Sequence, residues 1–247
     1  MRMRVLLIAF LTLCVLTAST AASSDDYYQP LVPNSQGNTI VNWRMVEVPE
    51  LAVQWGWTGE GAWLAESGGI MSFTITTLDE HITGNLKIGN FTIESNDTDA
   101  ARELVLGVWG LTPFFPGLVV AIGQDNLGDL NDTAYASAER VQGNYMNGTM
   151  ESSYEPVVVG GTSYDCIVFD YEQDPSGYGE PQRTYLAYDT LTGVLVRANT
   201  SVTIVNEYIL VLELHSILPP GPAMLLIVIG LSVFAIVVIV VVVVKRK

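Results

Sequence analysis

Residues 223–244 carry no charge, and Lys245, Arg246 and Lys247 follow at once. This run of 22 residues would form a helix of roughly 33 Å, enough to cross a bilayer core of about 30 Å. The basic triplet stops transfer and stays on the cytoplasmic side. Nearly all of the remaining chain is then confined to one side of a membrane.

The other end sets the side. Arg2 and Arg4 form a basic start, residues 5–16 are apolar, and small residues follow. Ser19 with Ala21, or Thr20 with Ala22, suits the positions flanking a signal cleavage site. The apolar stretch is short for a membrane span. Cys14 is preceded by Leu13, too large for a lipidation motif, so Cys14 is expected to leave with the signal. Export followed by a stop-transfer helix predicts a single-pass cell-membrane protein with its N-terminus and ectodomain outside and only residues 245–247 inside. A rival reading takes the Pro-rich 218–222, the apolar run and the basic tail as a sorting signal that is cut and replaced by a lipid or wall linkage. The motif lacks the Thr-Gly of LPxTG.

Charge agrees with export. All 26 acidic residues lie between Asp25 and Glu213, and only six of the 11 basic residues lie outside the two ends, so this region carries −20. Such a field repels nucleic acid and attracts cations. After cleavage Cys166 is the one remaining cysteine, which excludes an intrachain disulfide. Its neighbours Ile167, Val168 and Phe169 suggest a buried, inert thiol. Five glycosylation sequons fit an exported segment, at Asn90, Asn96, Asn131, Asn147 and Asn199.

Residues 23–38 are polar and aperiodic, as in a mobile leader. Strand patterns then recur over 40–48, 51–57, 70–78 and 85–94, separated by turns at Gly59-Glu60-Gly61 and Gly68-Gly69. Asn96 or Asp97 caps a helix whose apolar face is Ala101, Leu104, Val105 and Val108. A weaker helix is predicted over 132–141. Strands follow over 144–154, 164–172, 182–188, 194–205 and 208–217. In the fourth of these, Val194, Val196, Ala198, Val202 and Ile204 share one face, and Arg197, Asn199, Ser201 and Thr203 share the other. Asn199 therefore points to solvent, as a glycan requires. Gly193, closing the 189–193 turn, is free to take positive φ. These patterns predict an α+β chain: a curved antiparallel β-sheet ectodomain over 39–217 with one or two packed helices. A linker over 218–222 leads to a C-terminal transmembrane helix over 223–244. Extended, the linker reaches about 15 Å, which holds the ectodomain's edge near His215 close to the headgroups.

Three segments carry the layout of a known group: 84–90, 109–117 and 188–195, with Pro220-Gly221-Pro222 before the apolar run. This layout resembles uncharacterised archaeal single-pass cell-surface proteins, which carry no known activity to transfer. The late meander with its Tyr-Asp…Thr-Gly turn is also similar to LolA/LppX-type lipoprotein carriers, half-barrels with helices over an apolar cavity. The chain departs from them in lacking a lipobox and in its apolar C-terminal run.

Catalytic residue types are sparse. His81 and His215 have no ligand partner at useful spacing, and no HExxH, GxSxG, CxxC or phosphate loop is present. No enzyme activity and no cofactor are expected; an enzyme working through carboxylates would need a concave pocket holding one with a raised pKa. Asp170, Glu172 and Asp174 at alternating positions align on one strand face and form a candidate hard-cation site, the plainer reading being a solvated face. Asp125, Asp129 and Asp132 form a second acidic group without EF-hand features. Trp55, Trp57 and Trp63 are read as core or as a sugar-stacking surface. Trp109, Phe114 and Phe115 lie in an uncharged, Pro-broken segment. They are expected to line a ligand cavity, dip into headgroups or meet a partner, the alternative being a loop tucked into the core. The implied function is a glycosylated surface protein that binds or packs with envelope components. The alternative is a tethered carrier of a lipid or other apolar ligand. Partners are the lipid bilayer and surface proteins, glycans or a lipid, with no nucleic acid.

Overall fold

The computed structural model describes residues 39–49, 53–55, 61–63, 66–78, 82–89, 91–96, 112–175, 180–203 and 207–218. The signal, the leader, the apolar run and all of the expected 218–222 linker except Leu218, which ends the last strand, lie outside these, as do the 101–108 helix, Asn90, Trp57, His81 and Trp109. Among the described residues no helix is long and apolar enough to cross a membrane.

The fold is α+β. Strands β1 (Thr39–Glu47), β4 (Ile70–Leu78), β5 (Ile82–Ile88), β6 (Phe91–Asn96), β7 (Gly148–Val159), β8 (Thr162–Gln173), β9 (Glu180–Asp189), β10 (Leu195–Thr203) and β11 (Glu207–Leu218) form a nine-stranded antiparallel sheet. Its order is β6-β5-β4-β1-β11-β10-β9-β8-β7, open at both edges. Two meanders meet at β1, so the β1–β11 pairing joins both halves of the chain in one sheet. A separate hairpin pairs β2 (Val53–Trp55) with β3 (Gly61–Trp63). One helix, α1 (Gln124–Arg140), is described.

Several boundaries differ from the sequence pattern. The expected 51–57 strand is the short β2. The 85–94 strand is a hairpin, β5 and β6, because Gly89 turns the chain at φ 55°. Helix α1 begins eight residues before the expected 132. Gly123, at φ 96°, starts it without a side-chain cap, and Gly128 weakens its local signal. Its buried residues Leu127, Ala134 and Ala138 still recur at helical spacing.

The inner face of the sheet is apolar from edge to edge. Trp43, Met71, Phe73, Leu86, Phe169, Leu186, Tyr188 and Leu212 are all buried there. Part of its cover is the 112–123 segment. Val119 bridges to Val194, Val120 N donates to Gly193 O at 2.9 Å, and Leu195 N donates to Leu118 O at 3.0 Å. Strict alternation along β10 would turn Leu195 outward. A bulge between Leu195 and Arg197 instead leaves Leu195 fully buried, and its carbonyl accepts the Trp43 indole N–H at 2.7 Å. Beyond the bulge the expected faces hold: Asn199 is exposed and Ala198 buried.

Along β8 the outer face passes from dry to wet. In β8 the four successive residues Cys166 to Phe169 are buried, whereas Asp170 to Gln173 alternate. The β7–β8 tip accounts for the change, because β7 reaches across to β10 and β11. Arg197 Nη2 donates to Val158 O at 3.4 Å, and Val157 and Val159 are buried beside it. Each such valine contributes about 1.5–3 kcal/mol by leaving water.

Gly193 is the tightest point. It sits at φ +72°, and a Cβ there would lie 2.0 Å from Val120 O. Gly193→Ala is expected to cost more than about 3 kcal/mol in urea unfolding, combining the left-handed backbone with a backbone clash. Gly160→Ala, at φ +58° with open space around it, should cost only about 1 kcal/mol. Equal losses in the two variants would refute the clash.

Candidate functional site

The β7–β8 ladder sets Glu151 opposite Asp170 and Thr149 opposite Glu172. Both pairs stand on the outer face, above the point where the hairpin tip leaves it uncovered. With Gln173, Asp174 and Pro175 they line a cavity of about 340 Å³. The turn before β7 is fastened to the cavity's end of β8. There Tyr171 Oη donates to Met146 O, Gln173 Nε2 to Tyr145 O, and Asn147 Nδ2 to Asp174 Oδ2.

The carboxylates are not equivalent. Asp170 has its pKa raised, first by partial burial and then by Glu151 and Glu172, with Arg183 acting the other way. Glu172 is held by Arg183 Nη2 at 2.8 Å, and Asp174 by Asn147. Asp170 and Glu172 share the outer face as expected, but Asp174 lies past the strand end. The three therefore do not converge, and among the described residues no group of three or more His, Cys, Asp or Glu side chains is arranged to hold a metal ion. Asp125, Asp129 and Asp132 are exposed along α1. Asp170 and Glu172 thus form an exposed acidic cleft, in keeping with the plainer reading of a solvated face.

A raised carboxyl in a concave setting is the condition set for an acid–base enzyme. Asp170 meets it, but the cause is partial burial followed by like-charge crowding, which an acidic ladder beside a packed strand also produces. No histidine serves the cleft among the described residues, since His215 lies on β11. Cys166 is buried and its thiol is pushed up to about 12 by burial and then Asp189, so it stays protonated and inert as expected.

The aromatic pair of the 112–123 segment is a correction. Phe114 and Phe115 are buried, and Phe114 packs edge-on to Phe169 at 5.1 Å. Tyr188 Oη donates to Gly117 O at 2.8 Å, which draws the segment down onto the sheet. The pair thus belongs to the core and presents no surface; the tucked-in alternative describes them.

The sequons fall in different settings. Asn199 is exposed on the outer face of β10. Asn131 lies inside α1, half-buried, with its Oδ1 taking the Ser152 hydroxyl at 2.5 Å. Asn147 is held through both side-chain atoms, its Oδ1 accepting Gly143 N at 3.2 Å. Asn96 ends β6.

Sequence reading missed Glu151 and Thr149. Their place in the cleft follows from the β7–β8 register, whose signal is the turn at Gly160 and Gly161, both at positive φ. No known protein family, curated protein or solved structure matches the chain.

Because the raised pKa of Asp170 makes its ionised form a cost to folding, that cost is present above the folded pKa. It fades as pH falls through that value and is gone below the unfolded one. Asp170→Asn should raise stability at pH 7 by about 0.5 kcal/mol, small because water screens the exposed group. Thermal unfolding at pH 7 and in acid checks the sign: the gain should vanish in acid.

Proposed function

We propose that this chain is a membrane-anchored, glycosylated cell-surface protein whose ectodomain binds or packs with envelope components. The observation that carries the reading is the uncharged 223–244 run with its basic triplet, set against a basic, then apolar start of the chain. The β1–β11 register supports it. Ile40 pairs with Leu218, so the chain enters and leaves the sheet at the same end, on adjacent strands. A domain tethered there presents its remaining surface outward. That surface is acidic, with Glu151, Asp170, Glu172 and Glu155 on the outer side of β7 and β8. It suits basic side chains or cations bridging to acidic neighbours rather than nucleic acid.

A tethered lipid carrier would keep an open apolar cavity on the inner face. On that face the 112–123 segment lies across β9 and β10, and α1 lies against β7, which favours packing over carriage there.

The anchored reading is checked in membranes from a glycosylating host, using a chain tagged after Lys247. The tag should stay with carbonate-washed membranes, and external protease should remove the ectodomain but spare the tag. Loss of the tag from mature protein would favour the processed sorting signal. Asn199→Gln should remove one glycan step on gels, whereas Asn131→Gln should leave mobility unchanged. The opposite pattern would overturn the site assignment.

A further inference from the structure

The antiparallel order places three features at one end of the sheet: the exit of β11 at Leu218, the 189–193 turn, and the β7–β8 tip. Leu191 at the turn's apex is 64% exposed, Val158 near the tip 58%, and Leu218 49%. These are the most exposed of the large aliphatic side chains among the described residues; Val46 and Ile70 follow, toward the opposite end. Single exposed aliphatics are ordinary, but three at the end from which the chain leaves toward an uncharged run are not.

The turn is built to carry an apolar apex. The buried Asp189 carboxylate accepts Thr192 N at 3.1 Å, the Thr192 hydroxyl at 2.6 Å and Leu191 N at 3.4 Å. Thr190 donates both its N–H and its hydroxyl to Asp165 O at 2.8 Å, fastening the turn to the base of the tip. The donors around Leu191 are thus satisfied from within, which lowers the cost of entering a medium that offers no hydrogen bonds. Val158 stands between the inward-facing Val157 and Val159 and so points away from the sheet.

We propose that this end of the ectodomain docks on the lipid surface, with Leu191 and Val158 entering the headgroup–acyl boundary beside the anchor. The inference rests on the anchored reading and adds an orientation to it. With Leu218 in β11, the four residues 219–222 reach at most about 12 Å when extended, which puts the end within range. The Arg197 guanidinium beside the tip is already paired with Glu213, and the exposed Asp165 lies at this end, so the fitting surface is zwitterionic rather than anionic.

The test uses the full chain with Cys14→Ser, reconstituted in phosphatidylcholine vesicles. A polarity-sensitive fluorophore is attached at Leu191→Cys, Val158→Cys or, as a control at the opposite end, Tyr145→Cys. Cys166 stays unlabelled because it is buried. Probes at 191 and 158 should shift to the blue and lose roughly half their emission to doxyl-labelled lipid, while the probe at 145 should do neither. Water-like emission at 191 and 158 in a chain that resists carbonate extraction overturns the docking alone. So does a blue shift without lipid quenching, which marks protein contact. Release by carbonate overturns the anchored reading and the docking with it.

Discussion

The structure depends on one strap of chain laid across the sheet. Residues 112–123 cross the inner face and join it through Gly193, Val194 and Leu195. The bulge in β10 takes Leu195 out of the regular ladder, and the strap and the Trp43 indole then satisfy its N–H and carbonyl. The Tyr188 hydroxyl is satisfied by the strap itself. These groups lie within an apolar layer, where an unpaired one costs about 1–3 kcal/mol. The strap therefore lets a wide apolar face stay dry and polar-complete at once. Only glycine at 193 permits so close an approach.

The two faces of the sheet divide the work. The inner face carries the core. Among the described residues the β7–β8 tip folds over the outer face at β10 and β11, and Asp170 and Glu172 beyond it are exposed. The ion pairs described there, Arg183 with Glu172 and Arg197 with Glu213, use basic residues that are scarce in this chain. The Asp170 pKa rises first through partial burial and then through the crowding of Glu151 and Glu172 beside it. The acidic cleft is a by-product of this economy of positive charge as much as of any ligand.

Much of the sheet is readable from local pattern. Alternation marks β4, β10 and β11, and the expected positive φ of Gly193 is met at 72°. The outward direction of Asn199 follows from the same alternation. Elsewhere the local signal misleads. Gly89 splits one expected strand into two. Gly128 conceals half of α1, whose stability comes from packing Leu127, Ala134 and Ala138 rather than from propensity. Glu151 enters the cleft through a cross-strand register that no local window contains.

By itself the sequence determined the charge separation, the uncharged C-terminal run, the strand-rich α+β pattern and the solvent side of β10, because each is a property of neighbouring residues. Only the tertiary structure decided that Phe114 and Phe115 are core, that Asp174 leaves its acidic neighbours for Asn147, and that Asn131 is engaged while Asn199 is free. Hydrophobicity states a preference for burial, and a carboxylate or an amide a need for partners. Which surface, and which partner, answers that need is set by register and by segments distant in the chain.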